Sequence, residues 1–285
     1  MTVPYQTTRK RRVGSLLRQF RERAGLSAED AARRIRKAQS TISRTESGQT
    51  LPSLAEVEVL LAYYNASDDE REHALQKWED AKQDGTRLPL AGAVPKKFQA
   101  YLRMETEAVA LDIISPTLVP GLLQSRRYAL AITRNGASIG GVVDAEKFVE
   151  SRVARQRRIA GPDPLVVHAV LDEAAVRRVV GGAEVMAEQV DHLLELAERD
   201  NITVQVLPFG AGEYPTMGGA VNILRFGDPL DAPFIGLEYA GGEAIMDDPS
   251  DVEKFRIVFA SLVRAALGPR DTADLLRVIR RELEA

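Results

Sequence analysis

Ser27-Ala-Glu-Asp-Ala-Ala-Arg-Arg-Ile-Arg-Lys-Ala-Gln-Ser-Thr-Ile-Ser-Arg-Thr-Glu-Ser-Gly48 is the stretch on which the reading of this chain turns. Ser27 carries the side-chain oxygen of a helix N-cap, and Asp30 stands where a capping box places a carboxylate, with a shorter side chain than the usual Glu. Ala31, Ala32 and Ile35 give the helix that follows an inward face, and Arg36, Lys37 and Ala38 form a short connection. A second helix is expected from about 39 to 46, only two turns long, because Ser47-Gly48 stops it. Gln39, Ser40, Thr41, Ser43 and Arg44 fall on positions of that helix that face away from Ala38, Ile42 and the core.

On the N-terminal side, Val13, Leu16, Leu17 and Phe20 recur at helical spacing, and Gly25 supplies the left-handed residue that ends this first helix. Residues 1–12 read as a flexible arm ending in the run Arg9, Lys10, Arg11, Arg12. On the C-terminal side, Pro52-Ser53 reopens the chain, Leu54, Val57, Leu60 and Leu61 mark a fourth helix, and a fifth is expected over about 68–82. Residues 1–84 are thus expected to form an all-α, five-helix domain with a basic arm. Gly85, Pro89, Gly92 and Pro95 then give residues 83–95 the composition of a linker, whose centre is placed at 85–94.

Residues 95–285 read as a second, α+β domain, a small sheet flanked by helices. Helices are expected at about 96–111, 120–134, 144–160, 172–180, 184–200, 250–267 and 271–284. Strand-like runs fall at 165–170, 203–207, 220–226 and 234–239 between Gly/Pro turns. The basic residues Arg152, Arg155, Arg157 and Arg158 read as the solvated face of an amphipathic helix in preference to a second DNA surface.

Charge is distributed unevenly. Residues 1–50 hold 12 Lys and Arg against 4 Asp and Glu, while the rest of the chain holds 26 against 37. A basic head on an acidic body is the footprint of a protein that meets a polyanion at one end. The absence of cysteine excludes disulfides and thiolate metal sites. The polar N-terminus lacks a signal core, and no run approaches the roughly 18 apolar residues that cross a bilayer. A cytoplasmic protein without membrane contact is expected.

The 27–48 stretch resembles the helix-turn-helix of the xenobiotic-response-element and phage-repressor family. Ala32 and Ile42 stand where that family has the small residue that lets the two helices cross and the branched residue that fills the space between them. The resemblance implies binding to double-stranded DNA, with base contacts from Gln39, Ser40 and Arg44 and further contacts from Lys37, Thr41 and Ser43. Gln suits adenine and Arg suits guanine, each good pair giving about 1–3 kcal/mol of discrimination. Arg9, Lys10, Arg11 and Arg12 are expected to add diffuse charge along the backbone or to enter a minor groove. The family also pairs an Arg of the first helix with the Glu that closes the recognition helix, positions held here by Arg21 and Glu46. Two departures are Arg36 at a turn usually held by Gly, and Ala28 where a phosphate-gripping Gln is common.

No catalytic constellation emerges. His73, His168 and His192 lack zinc spacing, no phosphate loop is present, and the glycine pairs at 181–182, 218–219 and 241–242 read as turns. Asp172-Glu173 and Asp247-Asp248 precede expected helices and read as caps. No metal, cofactor or enzymatic activity is expected.

Leu118-Val-Pro-Gly-Leu-Leu-Gln124, Leu171-Asp-Glu-Ala-Ala-Val-Arg-Arg178, Asn201-Ile-Thr-Val-Gln-Val-Leu-Pro-Phe209 and the later Gly241-Gly242 to Asp247-Asp248-Pro249 resemble the WhiJ-like actinobacterial regulators. That resemblance implies a DNA-binding head joined to a regulatory domain, with a small protein partner in toxin-antitoxin-like pairs. A homodimeric repressor or activator is the expectation; the alternative is a small-molecule-binding or enzymatic module with an appended DNA-binding domain. Tyr214 and Met217, in the Gly-rich loop between two expected strands, are either a partner or ligand surface or fold back on their own core.

Overall fold

The computed structural model describes residues 8–82, 96–140, 144–227, 231, 233–239 and 242–284. The expected linker at 85–94 and residues 1–7 of the expected arm lie outside them. The chain divides into two compact units, Met1–Arg87 with Asp228–Ala232 and Leu88–Gly227 with Pro233–Ala285.

The described part of the first unit is helical: α1 (Thr8–Arg23), α2 (Ala28–Arg34), α3 (Gln39–Glu46), α4 (Leu54–Tyr63) and α5 (Asp68–Lys82). Capping boxes start three of these helices, with Ser67 and Glu70 forming the one at α5. Ser27 and Asp30 exchange side-chain and backbone hydrogen bonds at α2, and Ser53 and Glu56 do the same at α4. Val13, Leu16, Leu17, Phe20, Ala31, Ala32, Ile42, Val57, Leu60 and Leu61 are all buried in one core. The run Arg9, Lys10, Arg11, Arg12 corrects one expectation. It lies within α1 and is partly buried, because nothing between residues 8 and 13 breaks a helix and Arg and Lys are good helix formers.

The second unit carries a six-stranded sheet, β1 (Ala110–Ser115), β2 (Val166–Asp172), β3 (Ile202–Leu207), β4 (Ala220–Arg225), β5 (Phe234–Tyr239) and β6 (Gly242–Met246), in the order β3-β2-β1-β4-β5-β6. β1 pairs parallel with β2, and β2 with β3; β1–β4, β4–β5 and β5–β6 are antiparallel. Residues alternate across the sheet. Leu111, Ile113, Val167, Ala169, Val204 and Val206 enter one core, Ile114, Val170, Val221, Ile223 and Ile235 the other.

Helices α6 (Lys96–Glu107), α7 (Arg126–Gly140), α8 (Ala145–Arg155), α9 (Glu173–Arg177), α10 (Ala183–Ala197), α11 (Pro249–Ala265) and α12 (Pro269–Glu282) complete this unit. Residues of α6, α10 and α12 share the first core, whereas Val252, Phe259 and Leu262 of α11 belong to the second. Asp172 and Asp248 accept from backbone N–H groups as the N-caps of α9 and α11.

The outline departs from the sequence reading in three places. The helix expected through 111 ends at Glu107, and the next residues form β1, a buried strand at the middle of the sheet. The helix expected from 120 begins only at Arg126, after a short 3₁₀ turn, Gly121–Leu123. β6 has no counterpart among the expected strands. A further correction concerns α8: Arg152 and Arg155 are partly buried against their own unit instead of lying on a solvated face, whereas Arg157 is exposed.

Candidate nucleic-acid interface

The two helices of the 27–48 stretch meet through small and branched residues. Ala31, Ala32 and Ile42 are almost completely buried, and Thr45 joins them on the inner side of α3. The opposite side is polar and open: Lys37, Gln39, Ser40, Ser43 and Arg44 are exposed, and Thr41 is half-buried. Among the described residues, the side chains of Gln39, Ser40, Thr41, Ser43 and Arg44 make no hydrogen bond or ion pair. Lys37 differs, because its Nζ lies 3.3 Å from Glu56 Oε1.

Three contacts fix α3 against α1 and the connection before it. Arg21 Nε donates to Glu46 Oε1 at 2.6 Å and Arg21 Nη2 to Glu46 Oε2 at 2.8 Å, while Nη1 donates to the Leu26 carbonyl at 2.7 Å. Both side chains of the pair are only 10% exposed. The Glu46 hydrogen bond holds the Arg21 guanidinium above its ordinary value, against the opposing pull of burial. Gly14 supplies the second contact: a Cβ there would come within 2.6 Å of the Glu46 carbonyl oxygen, so the backbones of α1 and α3 touch where only glycine fits. Sequence reasoning passed over Gly14, since a glycine inside a helix gives no periodic signal.

The third contact is the end of α2. Arg36 adopts φ +55°, the left-handed region that Gly usually fills. The Arg36 N–H donates to the Arg33 carbonyl and the Lys37 N–H to the Ala32 carbonyl, the paired bonds of a Schellman ending. The chain therefore keeps the turn geometry at a strain of about 1–2 kcal/mol.

The basic run of α1 is bound into the unit. Arg9 Nη1 donates to the Asp80 carbonyl at 3.0 Å, and Arg11 abuts Gly48, whose φ of +73° and missing Cβ make room for it. Lys10 and Arg12 are likewise half-buried.

Of the two residues singled out in the second unit, Tyr214 turns inward. Its hydroxyl donates to Asp172 Oδ2 at 2.9 Å, and its ring packs on the core beneath α11. Burial and the Asp172 carboxylate push the phenol up from its ordinary value. Met217 is 53% exposed.

With this geometry in view, comparison with known families gives two matches. A helix-turn-helix domain model matches residues 12–74. A model described as a domain of unknown function (DUF5753) matches residues 98–278, more than half of the chain. The chain belongs to the DUF5753 family. A search of curated proteins finds no match. The DUF5753 match spans β1 to β6 and both helical layers of the second unit, and the helix-turn-helix match spans α2 and α3 and the helices that frame them. A helix-turn-helix domain joined to a DUF5753 domain is the architecture of a DNA-binding regulator. No helix among the described residues is long and apolar enough to cross a membrane. No group of three or more His, Asp or Glu among them is placed to hold a metal ion.

Proposed function

We propose that this DUF5753 protein is a sequence-specific transcriptional regulator that reads the major groove of double-stranded DNA with α3. The observation that carries this reading is the open face of α3, where Gln39, Ser40, Ser43 and Arg44 are exposed and without side-chain partners while the Arg21–Glu46 pair braces the helix behind them. Exposed and unpaired, these donors and acceptors are available to base edges. Gln39, Ser40 and Arg44 are assigned to bases, Thr41 and Ser43 to close approach and phosphates, and Lys37 with the run Arg9 to Arg12 to the electrostatic attraction of the backbone.

The chain acts in this reading as a homodimer on paired half-sites about 34–36 Å apart, and as a binding protein without catalysis. The resemblance to WhiJ-like regulators supports a second unit that receives a signal from a small protein partner, antitoxin-like, or from a ligand. Exposed Met217 is available to a partner, whereas Tyr214 serves the fold.

The test is a footprint across the protein's own promoter followed by titration of the protected site. Arg44→Ala and Gln39→Ala are each expected to cost about 1–3 kcal/mol on that site and much less on unrelated DNA, with the melting temperature unchanged. Equal losses on both DNAs would remove these two residues from the base-reading set, and protection of a single half-site by a monomer would end the dimeric reading.

A further inference from the structure

The second unit contains a cavity of about 410 Å³ that none of the DNA-binding reading uses. Its floor is the face of the sheet where the parallel and antiparallel halves meet: Ile113 pairs with Asn222 and Asn222 with Gly236, and Ala220 pairs with Glu238. Phe98 and Tyr101 of α6 form one wall, their rings stacked with centroids 5.5 Å apart, and Gly236 leaves the room Tyr101 needs, since a Cβ there would lie 3.0 Å from the ring. Arg152 and Arg155 of α8 line it, and the rim is the 117–122 segment that follows β1.

The two arginines differ. Arg155 is matched: Nε and Nη2 donate to the two oxygens of Glu105 at 2.8 and 2.6 Å, and Glu105 is almost fully buried. Burial alone would lower Arg155, but the Glu105 charge and hydrogen bonds outweigh it and hold the guanidinium above its ordinary value. Arg152 is not matched. Among the described residues its only hydrogen bond runs from Nη1 to Oε1 of Gln124, it has no ion-pair partner, and its Nε is buried and unpaired. Burial, and then the neighbouring Arg155 charge, pull it down to about 10 against the opposing charges of Glu238 and Glu105.

Arg152 is also held in place. The other end of the Gln124 amide donates to the Val119 carbonyl at 2.6 Å, the Gln189 amide bonds Ser125 N and the Leu123 carbonyl, and the guanidinium lies 5.0 Å from the Phe148 ring centroid. A guanidinium whose Nη2 is unpaired and not buried, held still in a cavity of size suited to small molecules, is a site for a carboxylate. Glu238, which accepts from Asn222 at 2.9 Å, puts a carboxylate on the same floor and disfavours a second negative charge.

We propose that this cavity binds a small organic monocarboxylate, its carboxylate on Arg152 and its apolar or aromatic body against Phe98 and Tyr101. The inference deepens the proposed function by naming the chemistry of the signal, and it rests on that reading only for its purpose. The existence of the site is independent of DNA.

The test is calorimetric titration of the full-length chain, without DNA, by phenylacetate, indole-3-acetate and hexanoate, each against its primary amide, and by inorganic phosphate. At least one carboxylate should bind at millimolar concentration or below and be preferred over its amide by about tenfold or more, and phosphate should not compete. Arg152→Gln should abolish the preference, and Arg152→Lys, which keeps the charge but not the guanidinium, should retain part of it. Absence of any carboxylate preference in the native chain overturns the proposal even if the variants do not fold, and so does a preference that survives in folded Arg152→Gln. Because no DNA is present, these results leave the DNA-binding reading untouched, and loss of operator binding in Arg44→Ala would leave them untouched in turn.

Discussion

Two arginine–glutamate pairs, one in each unit, use the same device to different ends. Arg21 grips Glu46 through two bonds of 2.6 and 2.8 Å, and Arg155 grips Glu105 through two of the same lengths. Each joins helices far apart in the sequence. In the first unit the pair lies behind an exposed helix, so satisfying Arg21 and Glu46 leaves the outward side chains of α3 free for something outside the chain. In the second unit the pair lies beside a cavity, and satisfying Glu105 leaves Arg152 with no carboxylate in ion-pair contact among the described residues. A buried ion pair contributes little net stability by itself. What each pair settles here is which neighbouring group remains unpaired.

The sharpest way to break the comparison is to remove one partner on each side. Arg155→Ala strands Glu105, whose side chain is only 3% exposed, and should lower the stability of the second unit by about 3–5 kcal/mol. Arg21→Ala strands Glu46 at 10% exposure and should cost the first unit about 2–3 kcal/mol, together with a loss of operator affinity. Scanning calorimetry checks both. Equal small effects would reduce the pairs to surface contacts, and an Arg21→Ala protein that melts early yet binds its operator normally would separate bracing from reading.

How much of this was legible in the sequence also differs between the units. The five helices are legible because their caps and periodicity are local: Ser27, Gly25 and the Val13–Leu17–Phe20 spacing each act within a few residues. Arg21 and Glu46 could be paired in advance only through a family resemblance, since no local pattern joins residues 25 apart in sequence. Arg155 and Glu105, 50 residues apart, had no such guide. The spacing of Arg152 and Arg155 beside Val149 and Val153 reads as an amphipathic surface helix, and only the tertiary fold brings Glu105 and the sheet to that face. β1 is hidden for a related reason. Its Ala-Leu-Asp-Ile-Ile-Ser follows a helical stretch without Gly or Pro, and burial on both faces leaves no period-2 alternation to read.

Smaller effects refine the picture of the first unit. Arg23 Nη1 and Nη2 donate to the two oxygens of Glu70 at 2.5 and 2.8 Å, tying α1 to α5. These bonds, and beyond the opposing cost of desolvation the Ser67 backbone N–H, bring the Glu70 carboxyl from 4.5 down to about 2. A carboxyl lowered in the folded state stabilises fully above pH 4.5 and loses that contribution as pH falls toward 2. With solvent screening at a half-exposed Arg23, the loss should be about 1 kcal/mol, and thermal melts of Glu70→Gln should lack it in that window. Arg36→Gly should move stability the other way, by about 1 kcal/mol, because it relieves the left-handed strain at φ +55°. A destabilised Arg36→Gly would show that the side chain contributes more than its backbone costs.

The sheet has a consequence for timing. β1, at 110–115, borders β4, at 220–225, so the middle of the second unit has an open edge until more than a hundred further residues have been made. At ribosomal speeds the interval between completion of α5 and arrival of β4 is on the order of 10 s. Helical units with local contacts fold in microseconds to milliseconds. The five helices of the first unit are therefore formed on the nascent chain well before the cavity exists, and any control exercised through that cavity begins only when synthesis is nearly finished.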